Sequence, residues 1–241
     1  MDWKEKYLNK ITQGDCLELM KELPDNCIDL ILIDPPYFIP AVHYDTRKRF
    51  KRNFADLGIL EGFFKTFFDR VDKVLKKDGL FYMFCNGQSY PIFFCYAYSM
   101  FKTVRPLIWD KKTSINGYYW RHQHELILFG VRPEKHKIPT GDGDILRYSA
   151  VKVDNRIHPA QKPLNLIKKL LLKTSKEGDI ILDSFIGSGT TAVACKQLNR
   201  NFIGFDISKE YCKIARKRLE DVDKQKTLVE KEIKKLEGEA L

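Results

Sequence analysis

The sequence predicts a doubly wound α/β domain on a mostly parallel sheet, and three observations carry that expectation. Short apolar runs of strand length alternate with longer stretches that suit helices. Two of the apolar runs stop on an aspartate, Asp34 and Asp183, each followed at once by turn-forming residues. The chain has 241 residues and is 44% hydrophobic, enough to close one buried core. Residues 1–241 are therefore expected to form a single domain.

The strands are expected at Ile28–Ile33, Leu80–Cys85, Val104–Trp109, Glu125–Phe129, Asp179–Leu182 and Phe202–Phe205. Helices are expected at Gly62–Leu75, Ser89–Phe101, Leu164–Thr174, Thr190–Leu198 and from Ser208 onward, where Ser208 is a suitable N-cap. Two segments break this rhythm, residues 38–60 and 131–157, and loops of that length in a compact domain are often functional. Residues 219–241 are expected to form a charged C-terminal helix that packs on its own domain, since two or so heptads are marginal as a coiled coil.

Composition narrows the class. A formal net charge of +10 favours a polyanionic partner. No apolar run approaches the roughly 20 residues of a membrane span, and the N-terminus does not read as a secretory signal, so no membrane association and a cytoplasmic location are expected. The six cysteines are widely spaced with no Cys-x-x-Cys pair, so reduced thiols are expected rather than a zinc or redox centre. His122 and His124 lack further ligands at the usual spacing, and no metal site is expected.

The first chemical signal is Ile28–Ile33 running directly into Asp34-Pro35-Pro36-Tyr37. Open α/β sheets hold ligands at the carboxyl ends of their strands, where Asp34 would stand. Pro35 and Pro36 have no N–H, so the backbone there can only accept hydrogen bonds. Asp34 and the Pro35 carbonyl could thus take both protons of an amino group, and Tyr37 offers a ring on which a base can stack. An aromatic amine is a poor nucleophile while its lone pair is delocalised, and two acceptors on its protons localise that pair for in-line attack on a methyl group. The plain alternative is a proline turn that ends a strand.

The second signal is Asp179–Asp183 followed by Ser184-Phe185-Ile186-Gly187-Ser188-Gly189-Thr190-Thr191, a strand, a glycine turn and a helix start. Asp206 lies 19 residues after Gly187, where a carboxylate can take ribose hydroxyls. A dinucleotide site fits Gly187-x-Gly189-x-x-Ala192 as well. Asp183 separates the two readings, because a carboxylate beside the turn repels a pyrophosphate and attracts an ammonium. S-adenosylmethionine carries an ammonium and a sulfonium and no phosphate, so Asp183 and Asp206 suit it better.

With both motifs in this order, the chain resembles the β class of DNA amino-methyltransferases, in which the catalytic motif precedes the cofactor motif. The resemblance extends to Gly14-Asp15, to His158-Pro159-Ala160-Gln161-Lys162-Pro163, and to residues 131–157 as a target-recognition segment. It implies a Rossmann-like S-adenosylmethionine-dependent methyltransferase fold, with Asp34, Pro35, Pro36 and Tyr37 catalytic. It also implies that Asp15, His158, Lys162, Asp183, Phe185, Gly187, Gly189, Thr190, Thr191 and Asp206 bind S-adenosylmethionine. The expected reaction is methylation of a flipped-out base in double-stranded DNA. In the resembling family Asp at the first catalytic position goes most often with adenine N6 and Ser with cytosine N4, so Asp34 favours adenine, with N4-cytosine as the runner-up.

Residues 38–60 are the candidate DNA-facing loop, because Arg47, Lys48, Arg49, Lys51 and Arg52 with Phe50 among them suit a phosphate backbone. A solvated charge run is the plain reading of the same residues. Tyr118-Tyr119-Trp120-Arg121 either lines a base pocket or packs as core. The resemblance leaves open a cognate restriction endonuclease as partner and a monomer or homodimer. A dinucleotide-dependent oxidoreductase is the distant alternative.

Overall fold

The structure is a computed structural model that describes residues 2–37, 57–115, 119–132, 138, 141–151 and 161–238. In chain order the elements are α1 (Trp3–Tyr7), β1 (Lys10–Gln13), α2 (Cys16–Leu19) and a 3₁₀ turn (Met20–Glu22). Then come β2 (Ile28–Ile33), α3 (Leu57–Val74), β3 (Leu75–Cys85), α4 (Tyr90–Met100), β4 (Thr103–Ile115), β5 (His122–Val131) and β6 (Ile145–Arg147). The chain ends with α5 (Leu164–Thr174), β7 (Ile180–Asp183), α6 (Thr190–Gln197), β8 (Asn201–Asp206) and α7 (Lys209–Gly238).

The strands form an eight-stranded sheet in the order β1-β8-β7-β2-β3-β5-β4-β6. Pairing is parallel from β1 through β3 and between β4 and β6, and antiparallel where β5 lies between β3 and β4. The expected doubly wound, mostly parallel sheet is the one observed.

Strands buried on both faces read as continuous apolar runs, and β2 shows why. Side chains alternate across a strand, so Ile31 and Ile33 enter one core layer with Phe64, Phe67 and Val71 of α3 and Phe93 of α4. Leu30 and Leu32 enter the other layer with Leu166, Ile167, Leu170 and Leu171 of α5 and Ala192 and Ala194 of α6. Full burial of each such large aliphatic side chain contributes about 1.5–3 kcal/mol. The charged exception in β2, Asp29, accepts the Ile180 N–H at 2.9 Å and pairs with Lys76 at 2.5 Å, tying β2 to both neighbouring strands.

Several boundaries move. Sequence reading missed β1, a short edge strand whose one buried side chain is Ile11, and β6, whose buried residue is Leu146. The long segments also contribute regular elements. Helix α3 begins at Leu57, inside 38–60, while Val131 closes β5 and β6 lies within 131–157. Helix α3 stops at Val74, and β3 starts at Leu75, five residues before the expected Leu80. The Ser208 hydroxyl accepts the Tyr211 N–H at 3.3 Å at the start of α7, as an N-cap does. No helix among the described residues is long and apolar enough to cross a membrane.

Candidate active site

The sheet order reverses between β7 and β2, since β2 leads outward to β3 and β7 leads the other way to β8. Such a reversal opens a crevice at the carboxyl ends of the strands. Asp34 follows β2 there, Asp183 ends β7 and Asp206 ends β8. Gln13 of β1 pairs with Asp206, and Gly14 N–H donates to the Asp206 carbonyl at 2.9 Å, which places Asp15 beside it. Four of the acidic residues singled out in the sequence therefore share one edge.

On the β7 side, Asp183 Oδ1 accepts the Phe185 N–H at 3.1 Å, and the Thr191 hydroxyl also bonds to this carboxylate. Burial pushes the Asp183 carboxyl up to about 7, against those two hydrogen bonds. Phe185 rests on Phe67 and Phe63 of α3, with ring centroids 5.5 and 6.3 Å apart. The glycine turn then folds over Asp206, whose Oδ2 accepts the Gly187 N–H at 2.9 Å and whose Oδ1 accepts the Ser208 N–H at 2.8 Å. Burial raises the Asp206 carboxyl too, although both backbone donors oppose it.

Gly189 must be glycine on two counts. Its φ is +81°, and a Cβ there would lie 2.7 Å from the Ala215 Cβ of α7. Arg218 of α7 locks the same turn, donating to the Ser188 carbonyl at 2.6 Å and to the Thr190 hydroxyl at 3.3 Å. Asp15 caps α2 by accepting the Leu17 N–H at 3.0 Å.

On the β2 side, Asp34 is held from across the sheet. Lys162, just ahead of α5, places its ammonium 2.6 Å from Asp34 Oδ2 and 3.2 Å from Glu125 Oε2 of β5. Glu125 also pairs with Lys111 of β4 at 2.7 Å. Burial raises the Asp34 carboxyl, with Lys162 opposing and Glu125 adding to the rise. Glu125 faces two ammoniums, and Lys162 and Lys111 together outweigh its burial and lower its pKa. The Asp34 and Glu125 charges hold the Lys162 ammonium protonated in spite of its burial. Tyr37 packs against the core layer that holds α3, and burial raises its hydroxyl well above the usual range.

The structure thus brings together Asp15, Asp34, Asp183, Phe185, Gly187, Gly189 and Asp206, and sets Lys162 against Asp34. His158 and the cluster Arg47, Lys48, Arg49, Lys51 and Arg52 lie outside the described residues. Tyr119 and Trp120 are 86% and 88% exposed, which removes the core reading for both. Sequence reading missed Glu125 and Lys111. Glu125 opens the apolar run Glu125–Phe129 and Lys111 lies just past Val104–Trp109, a signal legible only once β4 and β5 are paired with Trp109 opposite Glu125.

The family model described as DNA methylase, for N6 and N4 methyltransferases, matches residues 28–217. Type II methyltransferase M2.DpnII of Streptococcus pneumoniae is 30% identical over 246 residues, spanning 89% of this chain and 92% of that protein. Type II methyltransferase M.HinfI of Haemophilus influenzae is 27% identical over 249 residues, spanning 90% of this chain and 69% of that protein. Among solved structures, the complex of M1.HpyAVI with S-adenosylmethionine superposes with a TM-score of 0.65 at 26% identity, covering 87% of this chain and 98% of that one.

Proposed function

The chain belongs to the N6/N4 DNA methylase family, and from that premise we propose that it methylates adenine N6 in a specific DNA sequence, with S-adenosylmethionine as donor and Asp34 as the residue that receives the target amine. The observation that carries this reading is the pair of carboxylates Asp34 and Asp183 at the ends of adjacent strands, one on each side of the sheet's reversal. A target amine at Asp34 and a cationic cofactor at Asp183 would meet in one crevice.

The residues fit the cofactor. Among the described residues, neither Asp183 nor Asp206 forms an ion pair, and both are raised by burial, so a ligand with positive charge and ribose hydroxyls gives each a partner. A pyrophosphate at the glycine turn would meet the Asp183 carboxylate instead, which disfavours the dinucleotide alternative. When bound, S-adenosylmethionine supplies a methyl group activated on a positively charged sulfur.

Asp34 and the Pro35 carbonyl accept the two amino protons and localise the nitrogen lone pair, while Tyr37 stacks on the extruded base. As the nitrogen gains the methyl group it sheds one proton, which Asp34 receives. A base inside a duplex cannot reach the end of β2, so the target is flipped out. Adenine is preferred over cytosine on the identity of Asp34.

The test is to incubate the purified protein with genomic DNA and S-adenosylmethionine, then read N6-methyladenine and N4-methylcytosine separately by sequencing. N6-methyladenine at one recurring sequence is expected. N4-methylcytosine alone would overturn the base assignment, and no modified base at all would overturn the activity.

A further inference from the structure

Three strands and the segment ahead of α5 converge on Asp34 in a way the proposed methyl transfer does not by itself require. Lys162 is 7% exposed, and its ammonium lies 4.9 Å from the centroid of Phe84 and 5.9 Å from that of Trp109, so it is enclosed by rings as well as by carboxylates. Trp109 is itself fixed by donating to the Tyr148 carbonyl at 2.7 Å. Pro163 caps α5 immediately after Lys162 and anchors the segment that presents it.

The two oxygens of Asp34 are treated differently. Oδ2 takes the Lys162 ammonium, while Oδ1 is shielded from solvent and accepts no hydrogen bond from any described residue. An unsatisfied buried acceptor is costly, and an N–H donor arriving with the substrate would relieve it. We propose that Lys162, steadied by Glu125, is the positioning residue of Asp34: it occupies Oδ2 and so dedicates Oδ1 to the amino group of the target base. This inference rests on the reading of Asp34 as the amine acceptor. It assigns Lys162 to the catalytic carboxylate rather than to the cofactor.

Charge balance explains why two lysines are needed. Asp34 and Glu125 face Lys162 and Lys111, two negative charges against two positive ones. The other titratable groups facing Asp34 are Tyr37, Cys85 at the end of β3 and Asp183 at the end of β7. Burial keeps the Tyr37 hydroxyl and the Cys85 thiol neutral, the latter pushed up to about 12. Without Lys162, Asp34 and Glu125 would be left with Lys111 alone, and adjacent carboxylates in that position share a proton. A protonated Asp34 is a weaker acceptor for the amino group and cannot take its proton.

The experiment compares Lys162→Met, Lys162→Arg, Glu125→Gln and the double variant Lys162→Met/Glu125→Gln in the full chain, measuring turnover on DNA across pH and affinity for S-adenosylmethionine. Lys162→Met is expected to lose about a hundredfold or more in kcat at pH 7, to recover part of it as pH rises and Asp34 ionises, and to keep cofactor affinity within about threefold. Lys162→Arg should restore much of the rate. The double variant should be faster at pH 7 than Lys162→Met, because removing the Glu125 charge removes the reason for Asp34 to hold a proton. A loss with the wild-type pH profile and no recovery in the double variant would overturn the proposal, and so would a loss of cofactor affinity matching the loss of rate. Asp34→Asn is run in parallel. Turnover retained in that variant would overturn the reading of Asp34 itself, a failure distinct from that of Lys162.

Discussion

Asp183 ends β7 and Asp34 directly follows its parallel neighbour β2, and the negative charge of Asp34 adds to burial in pushing the Asp183 carboxyl up to about 7. If Asp183 holds the ammonium of S-adenosylmethionine, as proposed, that value makes cofactor binding pH-dependent with a definite sign. An α-ammonium with a pKa near 8 stays charged below pH 7, so over that range Asp183 is the partner that loses its charge. Affinity for S-adenosylmethionine is expected to fall by about tenfold per pH unit as pH drops below about 7, by linkage. Calorimetry from pH 5.5 to 8 checks this, and Asp183→Asn should bind weakly with a flat profile. The same raised pKa means that the folded protein holds this proton more tightly than the unfolded chain does. The Asp183 contribution to stability is therefore present below the unfolded carboxylate value and is lost as pH rises through about 7.

Asp206 already accepts two backbone N–H groups, yet each carboxylate oxygen has a second lone pair, so both ribose hydroxyls can still be received. Asp206→Ala is expected to weaken S-adenosylmethionine by on the order of 1–3 kcal/mol. Asp206→Asn should lose less, because the amide oxygen can keep one of the backbone contacts. Titration with the cofactor and with its 2′-deoxy analogue distinguishes ribose recognition from turn support. If both ligands weaken equally in Asp206→Ala, the carboxylate only holds the glycine turn.

Gly189 and Gly178 offer a paired test of what the turn proposed to hold the cofactor needs. Both have positive φ, +81° and +84°, but a Cβ at Gly178 meets nothing within 4 Å, whereas at Gly189 it lies 2.7 Å from Ala215. Gly178→Ala carries backbone strain alone, about 1–2 kcal/mol. Gly189→Ala adds an overpacking cost of about 1–3 kcal/mol and pushes α7 from the turn. The midpoint of thermal unfolding should therefore fall further in Gly189→Ala, by roughly 2–4 °C for each additional kcal/mol. Only that variant should also lose cofactor affinity.

The fold was legible wherever one segment carried its own pattern. Ile28–Ile33 read as a strand because burial on two faces demands an unbroken apolar run, and Leu164–Thr174 read as a helix because one of its faces is apolar. Strand β1 was not legible, because Lys10-Ile11-Thr12-Gln13 acquires its conformation by pairing with β8, nearly two hundred residues away. Asp34, Asp183 and Asp206 were legible because a carboxylate directly after an apolar run lands at a strand end. The Lys162–Asp34–Glu125 cluster was not. Lys162 and Asp34 are 128 residues apart, and Glu125 faces them through the antiparallel register of β5, which no local pattern encodes.

The basic run that follows Asp34-Pro35-Pro36-Tyr37 gives the last prediction. Arg47, Lys48, Arg49, Lys51 and Arg52 lie outside the described residues, so their role rests on sequence alone: charge density, and proximity to Asp34 along the chain. If they hold DNA phosphates beside the flipped base, neutralising all five reduces the steepness with which affinity falls with salt. Each phosphate contact contributes about 0.9 to the slope of log K against log salt on duplex DNA. The choice of methylated sequence should stay the same, because phosphate contacts position a protein and base contacts specify it. The measurement is DNA affinity across a salt series for wild type and the neutralised variant, with S-adenosylmethionine affinity as the control for an intact fold. An unchanged slope would make the run a solvated surface, and the +10 net charge would then have to act through lysines and arginines elsewhere on the chain.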